Sequence, residues 1–282
     1  MSHELPRCGR ISYTNDLPVY SAIDEGAVLF PGVMTADVPA RLNWALLEGH
    51  LDMSPISSAF YAEHADELAL VPDVCIAAYD KVHSICCISD AAPETLRDRT
   101  IAVTRESATG RMLFALIARR YYGFDPLMAD SDDPFARHLA DGSACLLIGD
   151  KAVDAAEQVP ARSVHDIGQL WHSHSGGGMV YAVWAVRKEY VRTALEQVRA
   201  VSMALRESME WGLENIARVI ARAQAERPRA PGFYEKYYRA LRFRFDEQAR
   251  ADLERFILAA HTAGLLARRY ALHFFDQVPE HV

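Results

Sequence analysis

The sequence has no long run of apolar residues. Its longest uninterrupted run covers only residues 179–186, whereas a membrane-spanning helix needs about 20 apolar residues. Residues 1–7 also lack the apolar core of a secretory signal peptide. We therefore expect a cytoplasmic protein with no membrane partner.

Basic stretches are missing as well. The 282-residue chain has a formal net charge of −8, and its Lys and Arg residues are spread along the sequence. Nucleic-acid-binding proteins usually carry a basic patch or stripe, so we expect no nucleic-acid partner. With 50% hydrophobic and 24% charged residues, the composition is that of a folded globular protein. The composition leaves the oligomeric state open.

The motifs of several common site classes are absent too. The five cysteines form no CxxC pair and no Cys/His pattern with zinc spacing, so we expect reduced core thiols and no metal. His172 and His174 have no cysteine or carboxylate close by in sequence, which makes them weak metal ligands. The glycines at 176–178 lack the GK[ST] ending of a P-loop, and no GxSxG nucleophile elbow occurs.

What the sequence does contain is an alternation of strand-like and helical segments, which predicts an α/β fold with a largely parallel sheet. Pro39 is expected to open a helix that Gly49 closes. The apolar segments 74–88 and 179–186 are interpreted as strands that cross between two lobes. This gives a discontinuous first lobe (1–86 plus 182–282), an inserted second lobe (87–181) and a helical C-terminal segment that includes 233–266. A ligand is expected in the cleft between them.

The strongest local signal is residues 104–110, a strand followed by hydroxyl and glycine residues at a helix start. The free N–H groups and the dipole of a helix N-terminus attract a carboxylate or phosphate. Ser107 and Thr109 are candidate hydroxyl donors, and Gly110 lets a ligand approach the backbone. Alternatively, Ser107 only caps the helix.

A similar pattern, residues 51–58, predicts a second helix start with Ser54 as N-cap and Pro55 in the first turn. Ser54 and Ser57 are candidate ligand contacts, or plain capping residues. Asn15 follows the first predicted strand, at the edge where open α/β sheets bind ligands. It also fits an Asx-turn before a proline.

Four further candidates lie near the predicted crossings. Asp150 follows a buried strand and is a candidate acid or base, a ligand contact or a helix cap. His83 and Ser84 lie in the first crossing. Gly177, at the second crossing, can bring the backbone close to a ligand.

Together these stretches resemble the chorismate dehydratase family of the futalosine route to menaquinone. The resemblance covers roughly residues 8–190 and rests on residues 10–18, 51–58, 104–110, 147–150 and 166–171 leading to 180–184. The family is similar in fold to the type II periplasmic solute-binding proteins, which have two α/β lobes joined by a two-strand hinge. One departure is the segment 174–177, where the family usually has a Trp-Thr-Gly-type stretch.

The resemblance implies a hydro-lyase that converts chorismate, a dicarboxylate, to 3-[(1-carboxyvinyl)oxy]benzoate without a cofactor. It also implies that Asn15 contacts the reacting part of the substrate and that Ser84, Ser107 and Thr109 hold carboxylate oxygens. We expect a substrate carboxylate to act as the base, with Asp150 as the alternative. Other possible functions are a solute-binding protein, the sister lyase that forms a dihydroxynaphthoate, and an effector-sensing domain.

Overall fold

The computed structural model describes residues 5–279, which form two β-sheets flanked by helices. The eleven strands are β1 Arg7–Ile11, β2 Val33–Asp37, β3 Met53–Ser57, β4 Leu68–Ala78, β5 Ile85–Ile88, β6 Thr100–Thr104, β7 Leu127–Ser131, β8 Cys145–Ile148, β9 Val164–Asp166, β10 Met179–Arg187 and β11 Leu241–Phe245. The α-helices are α1 Leu17–Asp24, α2 Pro39–Leu47, α3 Ser58–Glu63, α4 Ala108–Ile117, α5 Pro134–Asp141, α6 Gly149–Ala156, α7 Ile167–Ser175, α8 Lys188–Glu214, α9 Ile216–Glu226, α10 Phe233–Ala240 and α11 Glu247–Thr262. Within this described range, no helix has both the length and the apolar character needed to cross a membrane.

The first sheet has the strand order β11-β4-β10-β3-β1-β2, and the second has the order β7-β6-β8-β5-β9. Parallel pairing is confined to the strands next to β1 and β6. Strands β10 and β5 pair only in antiparallel fashion. The prediction of a largely parallel sheet is therefore wrong. A strand that arrives from the other sheet needs no crossover helix within its own sheet, so nothing forces it to run parallel.

The chain passes between the sheets twice. Residues 79–84 connect β4 of the first sheet to β5 of the second, and residues 176–178 connect α7 to β10 of the first sheet. We call these the first and second crossing segments. The first is not the continuous strand predicted over 74–88. The lobe limits themselves stay a prediction, although the second sheet takes all its strands from residues 85–166.

Two local predictions have opposite outcomes. Helix α2 begins at Pro39, and Gly49 after it adopts a φ of 80°, as the Pro-start and Gly-stop pattern predicts. The helix start predicted at Ser54-Pro55 is wrong, because both residues lie inside β3 and the helix begins only at Ser58. Strand β3 pairs with β1 only at Met53. Pro55 lies beyond that point, so its missing N–H costs no hydrogen bond to β1.

The C-terminal segment is helical except for one strand that the sequence analysis missed. Strand β11 interrupts the helix predicted over 233–266 and adds to the edge of the first sheet beside β4. Its alternate residues Leu241, Phe243 and Phe245 are buried, which is the two-residue period of a strand with one face on the core.

A buried ion cluster fixes the first sheet near the start of β3. The Asp52 carboxylate accepts hydrogen bonds from the Arg7 side chain (2.7 Å) and the Arg187 side chain (2.8 Å), and a third from the Arg7 backbone N–H (2.9 Å). Burial alone would raise the pKa of Asp52, but these bonds outweigh it and hold that pKa below its usual value. The cluster thus ties β1 and β10 to the residue that precedes β3.

We predict that Asp52→Ala lowers the free energy of unfolding by about 2 kcal/mol at pH 7, because it removes charge-assisted hydrogen bonds. The contribution of Asp52 is fully present above its unfolded pKa and disappears as the pH falls through its lower native pKa. Urea unfolding at pH 7 and at pH 3 measures both effects. A variant as stable as the wild type at pH 7 would contradict the prediction.

Candidate functional site

A cavity lies between the two sheets, where the turn after β1, the first crossing segment and the start of α4 meet. It has about 550 Å³ of space between its lining atoms, with the open mouth included. Six of the ten candidate residues line it: Asn15, Ser57, Ser84, Ser107, Thr109 and Gly110. Residues just before and within the segment that forms the second sheet therefore meet residues of the first sheet at this cavity.

The start of α4 is not capped by the side chain that precedes it. Ser107 occupies the N-cap position, yet its side chain makes no capping hydrogen bond. Its hydroxyl oxygen is buried and has no hydrogen-bond partner. That oxygen is only 2.4 Å from where a Cβ on Gly110 would be, so a side chain at position 110 would displace it. The Ser107 hydroxyl and the free N–H groups of the first helical turn are thus left for an anionic group.

The hydroxyl of Thr109 has a different task. It donates to the Tyr181 carbonyl (3.1 Å) and accepts the N–H of Ala59 (3.2 Å). Its one proton is therefore committed, which contradicts the expectation that this hydroxyl donates to a carboxylate. Thr109 instead docks α4 onto α3 and β10, and this contact sets the distance across the cavity.

Asn15 lies in a single 3₁₀ turn (Thr14–Asp16) at the end of β1. Its amide oxygen is buried and has no partner, so the side chain does not form the alternative Asx-turn. The neighbouring Asp16 is fully buried, and its carboxylate accepts the N–H of Ile11 at 3.2 Å. Burial raises the pKa of Asp16 to about 7, against the opposing effects of Arg10 and of that hydrogen bond.

Two further residues that line the cavity, Tyr13 and Glu106, were missed by the sequence analysis. The Tyr13 hydroxyl donates to Glu106 (2.7 Å), and the other Glu106 oxygen accepts from Lys151 (2.8 Å). The Tyr13 ring lies against Gly149, whose φ is 63° and where an added Cβ would be 2.6 Å from the ring. Burial, followed by the contact with Glu106, raises the pKa of Tyr13 and keeps its hydroxyl protonated.

Two candidates fall outside the cavity because their side chains are used elsewhere. Ser54 lies under β1 against Gly9 and donates to the Pro55 carbonyl. Asp150 uses both carboxylate oxygens on Thr14, whose hydroxyl (2.5 Å) and N–H (3.2 Å) it accepts. Asp150 is therefore not among the residues that line the cavity and ties α6 to the turn that carries Asn15; a catalytic role for it stays a prediction.

The other two lie at the crossing segments but face away from the cavity. His83 has a φ of 61° and lines a separate cavity together with Lys81 and Asp166. Burial lowers the pKa of His83. Gly177 packs against Arg255, whose guanidinium occupies the place of a Cβ. Neither residue is among those that line the cavity, and the ligand contact expected of each stays a prediction.

Two α/β sheets joined by two crossing segments, with a cavity at the junction, define the class of protein. A protein from Archaeoglobus fulgidus matches with a TM-score of 0.74 at 18% identity, over 94% of this chain and 99% of that one. A Candida albicans protein, described as having the generic periplasmic binding protein fold, matches with a TM-score of 0.66 at 12% identity, over 94% and 92% of the two chains. The expected periplasmic-binding-protein-like fold is thus confirmed.

The sequence comparisons identify a family within this fold class. Residues 6–262 match the family model for menaquinone biosynthesis, and the chain belongs to this family. It is 32% identical over 236 residues to the chorismate dehydratase of Thermus thermophilus, which covers 78% of this chain and 83% of that protein.

The contact between Tyr13 and Gly149 generates one prediction. Gly149→Ala introduces both an unfavourable positive φ and a clash with the Tyr13 ring, whereas the control Gly142→Ala introduces only the positive φ (71°), with no heavy atom within 4 Å. We expect Gly142→Ala to lower the free energy of unfolding by about 1 kcal/mol and Gly149→Ala by about 2 kcal/mol more. Equal losses in urea unfolding would show that Tyr13 does not pack on Gly149.

A second prediction concerns Asp16. Between its ordinary pKa of 3.8 and its native value of about 7, the native state keeps a proton that the unfolded state has lost. Asp16 therefore makes the native state progressively less stable as the pH rises through this window. Asp16→Asn removes this effect, so its stability relative to wild type should increase from pH 4 to pH 7 and then level off. A pH-independent difference in urea unfolding would refute this.

Proposed function

We propose that this protein is an enzyme of menaquinone biosynthesis that removes water from chorismate to give 3-[(1-carboxyvinyl)oxy]benzoate. Membership of the menaquinone biosynthesis family and the 32% identity to a chorismate dehydratase support this assignment. Three residues lining the cavity, Asn15, Ser107 and Tyr181, have a buried side-chain oxygen without a partner, and the oxygens of Asn15 and Ser107 carry the assignment.

These two oxygens match the functional groups of chorismate. The amide oxygen of Asn15 is an acceptor, and the substrate hydroxyl that leaves during the reaction is a donor. The Ser107 hydroxyl and the first N–H groups of α4 are donors, and a substrate carboxylate accepts from them. A buried polar atom that lacks a partner destabilises the protein. A ligand that supplies the missing partners is therefore bound in preference to one that does not.

The scarcity of charged residues on the cavity wall also favours a protein that acts by positioning its substrate. Among the described residues that line the cavity, none is Lys or Arg, and the only carboxylate is that of Glu106. Glu106 is already paired with Tyr13 and Lys151. The anionic substrate is therefore bound by neutral hydroxyl, amide and backbone donors, as at other helix N-termini.

The reaction itself is an elimination that is balanced without a cofactor. The ring C3–H bond breaks, its electron pair forms the last double bond of the aromatic ring, and the C4–O bond breaks. The departing hydroxide and the C3 proton leave together as water. Because aromatisation drives the reaction, the protein needs to orient the substrate and exclude solvent. Tyr13, held by Glu106, lines the cavity, and we assign it to the second purpose.

The base that removes the C3 proton is best sought on the substrate. Asp150 lies outside the cavity, Glu106 is committed to its two partners, and an asparagine amide does not accept a proton at neutral pH. One substrate carboxylate is positioned by Ser107 and α4, which leaves the other free to accept the proton. Asn15 then acts by holding the C4 hydroxyl in line for departure.

We also propose that the protein acts in the cytoplasm. All five cysteines are free and buried, as is usual in a reducing compartment. Cell fractionation that recovered the protein only outside the cytoplasm would refute this.

The function is tested by incubating the purified chain with chorismate and following the loss of one water by mass spectrometry. We expect turnover by the wild type and a fall in kcat/KM of about 100-fold in Asn15→Ala, because a preorganised hydrogen-bonding group at the reacting centre is lost. Asp150→Asn should retain measurable turnover. Tight binding without product would favour a solute-binding protein. Full activity in Asn15→Ala with none in Asp150→Asn would overturn the assignment of Asn15.

A further inference from the structure

The segment 166–171, which begins at the last residue of β9 and enters α7, is part of the family resemblance but has no place in the proposed reaction. Asp166 is the N-cap of α7, and its carboxylate accepts the N–H of Gln169 at 3.1 Å. A capping residue normally lies at the surface and does no more than this. Asp166 is only 8% exposed, so its other contacts decide its role.

Those contacts are with the first crossing segment. The Asp166 carboxylate accepts the backbone N–H of His83 at 2.7 Å and that of Val82 at 3.2 Å. Together with the N–H of Gln169, three backbone donors converge on one buried carboxylate. Such charge-assisted bonds are about twice as strong as neutral ones.

The bonded segment has a strained backbone. His83 has a φ of 61°, a left-handed conformation that is unfavourable for any residue with a side chain. Val82 and Ser84, on either side of it, both line the cavity. The Ser84 hydroxyl donates to the Val82 carbonyl at 3.3 Å, so the reversal at His83 sets the orientation of this hydroxyl, and Asp166, which does not line the cavity, holds that reversal.

The second crossing segment rests on the same helix. The indole N–H of Trp171 donates to the Gly178 carbonyl at 2.9 Å. Gly168 also packs against both connections, because an added Cβ would be 2.5 Å from the Asp80 carbonyl of the first crossing segment and 2.5 Å from the Tyr181 hydroxyl of β10, just after the second. Helix α7 thus contacts both connections between the sheets through hydrogen bonds and close packing, while α11 also holds the second through Asp252, which accepts the Gly178 N–H at 3.2 Å.

We propose that Asp166 is a positioning residue, whose carboxylate holds residues 82–83 in the conformation that presents Ser84 to the substrate. This inference rests on the proposed function, because it assigns Asp166 an effect on that reaction through Ser84. Asp166 itself does not touch the substrate. The remaining contacts of α7, through Gly168 and Trp171, keep the second crossing in register with the first.

A double-mutant cycle on chorismate turnover tests the coupling. Asp166→Asn removes the charge and places an amide donor among the three N–H groups, and we expect kcat/KM to fall about 10-fold or more. If Asp166 acts through Ser84, Ser84→Ala combined with Asp166→Asn should be no worse than Ser84→Ala alone. The control is Asp133→Asn, which alters another N-cap in the same sheet region (accepting the N–H of Ala136 at 2.9 Å). Its effect should be small and should multiply with that of Ser84→Ala.

Amide hydrogen exchange provides a readout that needs no substrate. In the wild type, the amides of Val82 and His83 should be protected, and in Asp166→Asn they should exchange at least about 10-fold faster, with no such change in Asp133→Asn. Unprotected amides in the wild type would overturn the proposal even if Asp166→Asn fails to fold. Multiplicative losses in the cycle would overturn the coupling to Ser84. A wild type that binds but does not dehydrate chorismate refutes the proposed function, while the exchange experiment still decides whether Asp166 holds the crossing.

Discussion

The geometry of the cavity depends on how the start of α4 docks onto the first sheet. Thr109 makes this contact with one hydroxyl, which donates to Tyr181 and accepts from Ala59. Because Thr109 is fixed in this way, Ser107 and Gly110 are held in place on the cavity wall relative to Asn15 and the first sheet. A small shift at Thr109 would change the separation of every group that we propose to bind substrate. Catalysis by orientation is sensitive to displacements of that size.

The same docking explains why few charged groups are needed in the cavity. A helix N-terminus and hydroxyl donors in a partly buried cavity bind an anion well, because the lower local dielectric strengthens each interaction. Cationic side chains that grip both carboxylates would also restrain the carboxylate that we propose as base. Neutral recognition leaves that group reactive. The fold alone does not imply this chemistry, since function resides in the site.

Local sequence signals predicted the features that depend on neighbouring residues. The helix that begins at Pro39 and the start of α4 after Ser107 are of this kind. Features that depend on distant pairing were missed. Tyr13 and Glu106 meet across 93 positions, and nothing near either residue indicates the other. Their only sequence signal was the proximity of Tyr13 to Asn15.

The same distinction explains the errors. Ser54-Pro55 has the local pattern of a helix start, but pairing with β10 keeps it in a strand. Asp150 and Gly177 were expected in the cavity because they follow strand-like or crossing segments. Instead, the Asp150 carboxylate is bound to Thr14, and Arg255 packs against Gly177. Both partners come from parts of the chain far away in sequence, so a reading of local patterns does not find them.

The account is tested most directly by calorimetric titration of 3-[(1-carboxyvinyl)oxy]benzoate into the wild type, Ser107→Ala and Ser58→Ala. Ser58, like Ser107, has a buried hydroxyl without a partner, but it does not line the cavity. We predict one bound product per wild-type chain, an affinity about 10-fold lower in Ser107→Ala, and no change in Ser58→Ala. Unchanged affinity in Ser107→Ala would contradict the claim that this cavity holds the carboxylate at the start of α4.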